Sequence, residues 1–352
     1  MARPVLRRPA TGRPLTPTHR KPTDFEQLGF SSGPVHVPGR YWVRTVDFEA
    51  FRPEHASGWI AAMRGWAEES IRVGTKSSMF IAVEDIVRLR QFSRSAYDDF
   101  LEATVALHRS GCVFYPHNHC LFDLETGLRP TEEMHAELHI PGYAKQASMF
   151  FDVVYRNKAD FGQWVLAVRA TYEQFLADAG LPLPEPLAFR PGGWDHGSDK
   201  EEIATYLEAV EGAGFTVDSS ASAGHYATRS HRLNAKYGYN VFQVGDALTE
   251  LAPTWFIDCG ASIPSIGSLG SARQFARQPR AWIARQPGAW VTVAHFDHLF
   301  HTRAGRRYNY FSVMDLDQVR KRIRRFMDRT QLLATQLDFE VVSIESLPLP
   351  TA

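Results

Sequence analysis

Two short stretches hold side chains that could do chemistry: TVDFEAF, with Asp47 and Glu49, and VFYPHNH, with His117 and His119. Side chains alternate sides along an extended strand, so residues two apart share a face. Asp47 therefore points the same way as Glu49, and His117 the same way as His119. Carboxylates and imidazoles are the side chains that bind divalent cations and move protons. Each pair also has a plain reading. A carboxylate pair at a strand end is usually solvated, and a lone histidine is usually structural.

Three more stretches have the same character. FRPGGWDHG carries Arg190, Trp194, Asp195 and His196; GFTVDSS carries Asp218; VTVAHFDHLFH carries His295, Asp297, His298 and His301. Taken singly, Arg190 beside a Pro-Gly-Gly turn could pair with a surface acid, and Asp218 before two serines could cap a turn.

The elements that must position these residues follow from hydrophobic periodicity. YWVRTVDF (41–48), SMFIAV (78–83), CVFYPH (112–117), LAFR (187–190), FTVDSS, TWFIDCG (254–260), AWVTVAH (289–295) and DFEVVSI (338–344) read as strands. Between them, 56–72, 95–111, a segment ending near 170–180, 199–215, 271–286 and 315–337 read as amphipathic helices. In the last, Val319, Ile323, Phe326 and Leu333 lie along one side and Arg and Lys cover the other. Strands separated by helices imply parallel β/α units, and seven or eight of them favour a barrel. In such a barrel functional residues gather at the C-terminal ends of strands, which is where these polar residues fall.

The chain has 352 residues, 44% of them hydrophobic, enough for a sizeable core and too apolar for general disorder. Its 39 basic and 39 acidic residues cancel, which gives no overall argument for nucleic acid or an anionic surface. Cys112, Cys120 and Cys259 are too few for a disulfide framework, which suits a reducing compartment. Residues 1–38 are rich in Pro and Arg without periodicity and read as a flexible basic segment. They lack the apolar core of a secretory signal, and no apolar run is long enough to span a membrane. The expectation is a single catalytic α/β domain over 39–352 acting in the cytoplasm. Residues 120–185 are longer than a β/α connection needs, and His135, Glu137 and His139 there could contact substrate.

Read in order, TVDFEAF, PHNH, FRPGGW, GFTVDSS and VTVAHFD make the chain resemble the polysaccharide deacetylases, or carbohydrate esterase family 4, over about 41–300. The resemblance implies a distorted (β/α) barrel and a divalent metal, zinc or else cobalt or nickel. It also implies hydrolysis of a C–N amide bond, with Asp47 as base, Arg190 charging and orienting it, His295 as acid and Asp218 holding that imidazole. The chain departs from the family pattern at two places. The usual second aspartate of the first motif falls on Phe48, and the H-x-x-x-H spacing meets Leu121 or Asp123. Glu49, His117 and His119 then become the expected ligands, as in variant members reading D-x-E, with Asp123 able to replace one of them. Trp194, Asp195 and Asp123 are the expected substrate contacts, and Tyr143 and Trp255 could stack on sugar rings. The implied substrate is an amino sugar or glycan. A non-sugar amide or ureide, or an inactive glycan-binding or scaffold relative, is the alternative. Oligomeric state is open.

Overall fold

The structure, a computed structural model, describes residues 32–49, 55–118, 158–192, 200–220, 241–245, 247–253, 255–256, 288–300, 302–304, 307–309 and 315–349. In chain order the elements are β1 (Ser32–Pro34), β2 (Arg40–Phe48), α1 (Ala56–Val73), β3 (Ser77–Ala82), α2 (Val83–Phe92), α3 (Arg94–Arg109), β4 (Cys112–Asn118) and α4 (Lys158–Asp178). They continue with β5 (Ala188–Pro191), α5 (Lys200–Gly212), β6 (Val217–Asp218), β7 (Val241–Val244), β8 (Leu248–Leu251), β9 (Trp255–Phe256) and β10 (Gly288–His295). A 3-10 turn (Phe296–Phe300), β11 (Thr302–Ala304), β12 (Arg307–Asn309), α6 (Leu316–Leu337) and β13 (Glu340–Val342) close the series.

The strands β8, β6, β5, β4, β3, β2, β10 and β9 lie side by side in that order and run parallel. The mostly parallel sheet curls into a nearly closed barrel with helices outside it, a distorted (β/α) barrel. Two strands depart from the parallel pattern. β7 returns antiparallel to β8, and β1 pairs antiparallel with β7. The turn between β7 and β8 runs through Gly245 at φ 63, a conformation that favours glycine. β10 pairs with Arg40–Asp47 along one edge of β2. The other edge is shared by β13 at Tyr41–Val43 and β3 at Thr45–Phe48.

Alternation sorts each strand into two cores. Trp42, Val46, Phe48, Met79, Ile81, Phe114, Phe189 and Trp290 face the helices, whereas Val43, Phe80, Tyr115, Ala188, Val217 and Val291 fill the barrel interior. Phe48 is buried in the outer layer against Trp59, Phe100 and Phe296. Arg44 shares that outward face and is fully buried. It donates to Ser77 and Thr75 hydroxyls at 2.9 Å and lies 3.2 Å from the Met327 sulfur. Burial pulls its pKa down to about 10, so it stays charged at neutral pH while tying α6 to β2 and β3.

Candidate active site

The same alternation that sends Phe48 outward sends Asp47 and Glu49 inward. Val113 and Tyr115 lie in the interior, so His117 does too, and Arg190 and His295 continue the inward faces of β5 and β10. Register then levels them. Asp47 lies opposite His295 across β2 and β10, and His117 opposite Arg190 across β4 and β5.

The five residues form a ring. Arg190 Nη1 donates to Asp47 Oδ1. Asp47 Oδ2 lies 3.6 Å from His295 Nε2, beyond hydrogen-bonding reach. His295 Nδ1 is 3.0 Å from Glu49 Oε1, and Glu49 Oε2 is 3.0 Å from His117 Nε2. His117 Nδ1 is 3.0 Å from the Arg190 carbonyl, which closes the circuit. Asp47, Arg190 and His117 are buried, whereas Glu49 and His295 keep side chains 16% and 24% exposed. Glu49 and His295 are therefore the members of the five nearest solvent.

Arg190 is held on every side. Nη2 donates to Thr45 Oγ1 at 2.9 Å and to Ser219 Oγ at 2.8 Å, Nε donates to the Ser219 carbonyl, and the guanidinium lies 3.9 Å from the Phe80 ring centroid. Both hydroxyls spend their own protons on carbonyls of neighbouring strands, Thr45 on Thr292 and Ser219 on Leu251. Their lone pairs are left for Arg190, so the cation against Asp47 is fixed by two strands at once.

Asp218 faces the other way. Val217 points into the barrel, so Asp218 points to the helix layer, where it accepts hydrogen bonds from Tyr206 of α5 and from Ser220. Glu250 lies opposite it across β6 and β8. Burial raises the Asp218 carboxyl above its ordinary range, against hydrogen bonds from Glu250, Ser220 and Tyr206 that lower it. The carboxylates beside the His295 imidazole are instead Asp47 and Glu49. The inward residue of this segment is Ser219, which period-two counting from Val217 would have found. Thr45 was legible in the same way, two residues before Asp47. Glu84 and Asp85, buried directly after β3, are two further acids that follow an apolar strand and that motif order passes over.

His119, Asp123, Trp194 and Asp195 lie outside the described residues, as do Tyr143, His135, Glu137, His139, His196 and His301. Among the described residues no three His, Cys, Asp or Glu side chains form a metal-holding group. The chemistry of the donors at His117 nevertheless suits a cation. A carbonyl oxygen only accepts, so Nδ1 carries the proton facing Arg190 and a neutral ring turns its Nε2 lone pair toward the Glu49 carboxylate. Two acceptors 3.0 Å apart need a proton or a cation to reconcile them. Metal-bound histidines typically give their other ring N–H to such a carbonyl.

No protein-family model matches the chain, and no curated protein matches it either. Solved structures do. A Mycobacterium smegmatis protein provisionally designated a polysaccharide deacetylase is 13% identical at TM-score 0.46, with 89% of this chain and 92% of that one covered. A family 4 carbohydrate esterase from Streptomyces lividans is 12% identical at TM-score 0.35, covering 90% and 98%. A Coccidioides immitis protein provisionally designated a fructose-1,6-bisphosphate aldolase is 10% identical at TM-score 0.34, covering 85% and 91%.

Proposed function

We propose that the protein is a metal-dependent hydrolase of a C–N amide bond that removes the acetyl group from an N-acetylated amino sugar. The observation that carries this reading is Asp47, with one oxygen held by buried Arg190 and the other facing His295 at the solvent-facing end of the ring. A base and an acid thus stand side by side at one mouth, the pair of groups that amide hydrolysis needs. Asp47 takes a proton from the attacking water. The C–N bond breaks as His295 gives its proton to the leaving nitrogen, so that water and amide become acetate and amine. Glu49 holds His295 Nδ1 and thereby aims Nε2. Glu49 and His117, with His119, would hold a divalent ion, zinc or else cobalt or nickel; when bound, such an ion polarises the acyl oxygen and acidifies water.

The amino-sugar substrate rests on the order of the five motifs. The sparse cysteines favour action in the cytoplasm, on a nucleotide sugar, a lipid-linked intermediate or a small glycoside. No helix among the described residues is long and apolar enough to cross a membrane. A glycan-binding relative without catalysis is the second reading, favoured by Phe48 being core rather than ligand.

The test is acetate release from a panel of N-acetylated amino sugars, run on the metal-loaded protein and on Asp47→Asn. Activity in the first and at least a ~100-fold loss in the second fits a positioned general base. Sugar binding without acetate release under any of the three metals would reject hydrolysis in favour of the second reading.

A further inference from the structure

We propose that the outward face of α6 docks the protein on an anionic membrane surface. The inference is independent of the hydrolase reading, since it concerns a face the ring does not touch.

The neutral net charge conceals a strong asymmetry. Within Leu316–Leu337, α6 carries six Arg or Lys (Arg320, Lys321, Arg322, Arg324, Arg325 and Arg329) against Asp317 and Asp328, a net of +4. α5 carries Lys200 against Glu201, Glu202, Glu208 and Glu211, a net of −3. α6 packs beside α1 and is tied to β2, whereas α5 packs on β5 and β6, with β3 and β4 between β2 and β5 in the sheet. These two helices therefore carry opposite net charge, and an anionic plane would favour α6 over α5.

Arg320, Lys321, Arg324 and Arg325 are all exposed, and none makes an ion pair among the described residues. Two of the acids nearby are engaged elsewhere. Asp328 pairs with Arg72 of α1, Glu102 pairs with Arg64, and Asp317 sits in the first turn of α6. An outer face this basic is ordinarily just solvated, but here an exposed leucine continues the row of cations. At helical spacing Lys321, Arg325 and Leu332 form one row with Arg320 and Arg324 beside it, whereas Leu316, the first residue of the helix, lies on the side of buried Met327 and Ala334. Leu316 is 42% exposed and Leu332 58%. A row of cations ending in an exposed apolar side chain matches an anionic headgroup layer over acyl chains, whereas a nucleic acid offers the leucine nothing. Arg322 Nη1 donates to the Leu299 carbonyl at 2.9 Å, so the docking helix is fastened to the turn that follows His295. A membrane-bound chain would hold the mouth of the ring close to the lipid surface.

The experiment is co-sedimentation of the full chain with phosphatidylcholine vesicles, with and without phosphatidylglycerol, at low and high salt. The wild type should partition onto the anionic vesicles alone and be released by salt. The variant carrying Arg320→Gln, Lys321→Gln, Arg324→Gln and Arg325→Gln should partition about 600-fold less, each cation near such a surface being worth roughly fivefold. Its circular dichroism should match the wild type. Both proteins keep the basic segment 1–38, so a variant that binds as well as the wild type would assign binding to that segment and overturn the proposal. Leu332→Ser should weaken vesicle binding several-fold. Duplex DNA bound as tightly as the vesicles, with the leucine variant unaffected on both, would equally overturn it, as would no binding to either vesicle.

Discussion

Glu49 faces His117 at 3.0 Å across the strand ends of β2 and β4, and each ring nitrogen of His117 is committed, one to that carboxylate and one to the Arg190 carbonyl. Removing either partner should strip the cation affinity. Competition titration with a fluorescent chelator is expected to show tight zinc binding in the wild type. Affinity should fall at least ~10–100-fold in His117→Ala and in Glu49→Ala, as large a loss as follows from removing groups that only orient a ligand. Unchanged affinity in both variants would place the cation elsewhere.

Arg190 and Asp47 are both buried, so deleting one strands the other. Arg190→Met should cost ~3–5 kcal/mol in urea unfolding, because the Asp47 charge loses its only described cationic partner of fixed charge. Asp47→Asn added to Arg190→Met should recover part of that loss. A double variant no more stable than Arg190→Met would show that the charge pair is not what Arg190 supplies.

Phe48 occupies the position where the resembled family carries an aspartate ligand, yet it packs between Trp59 and Phe296. Phe48→Ala is expected to destabilise by ~3–5 kcal/mol, the usual cost of emptying an aromatic site. Phe48→Asp should fail to fold and should not gain metal. A stable, zinc-binding Phe48→Asp protein would mean that β2 can turn this residue inward.

Burial raises Asp218 in the folded chain, so the native state keeps that proton at pH values where the unfolded chain has lost it. The stabilisation from this raised carboxyl is fully present below the ordinary carboxylate value of ~4 and is lost as pH rises through the folded value. Asp218→Asn cannot titrate. The stability of the wild type relative to the variant should therefore fall as pH is raised from ~4 toward neutrality, read from urea midpoints across that range. Curves that stay parallel would remove Asp218 as the titrating group.

Much of this arrangement was written in period two. The β2, β3, β4 and β10 strands fall within a residue of their apolar runs, and the inward facing of Asp47, Glu49 and His117 follows from counting alone. At GFTVDSS residue type singles out Asp218, whereas the alternation points to Ser219. α2 escaped because it begins at Val83 with no turn residue after β3. Its first-turn acids Glu84 and Asp85 are buried, so they do not show the solvated face that marks a helix start. The β7–β8 hairpin escaped because VFQV-GDA-LTEL is too short to outweigh the expectation of parallel strands. The facing of Arg190 toward Asp47 is a pairing of residues far apart in sequence, and only the closed sheet brings them together.

The two-sided pairing of β2 bears on how this chain tolerates changes in length. One residue inserted between Tyr41 and Val46 would exchange the faces of everything after it. Phe48 would then lie in the polar mouth and Asp47 among tryptophans, while partners on both edges resist the shift. Alignments of homologues should therefore be gapless from Arg40 to Glu49, and length variation should be confined to the segments that join strands.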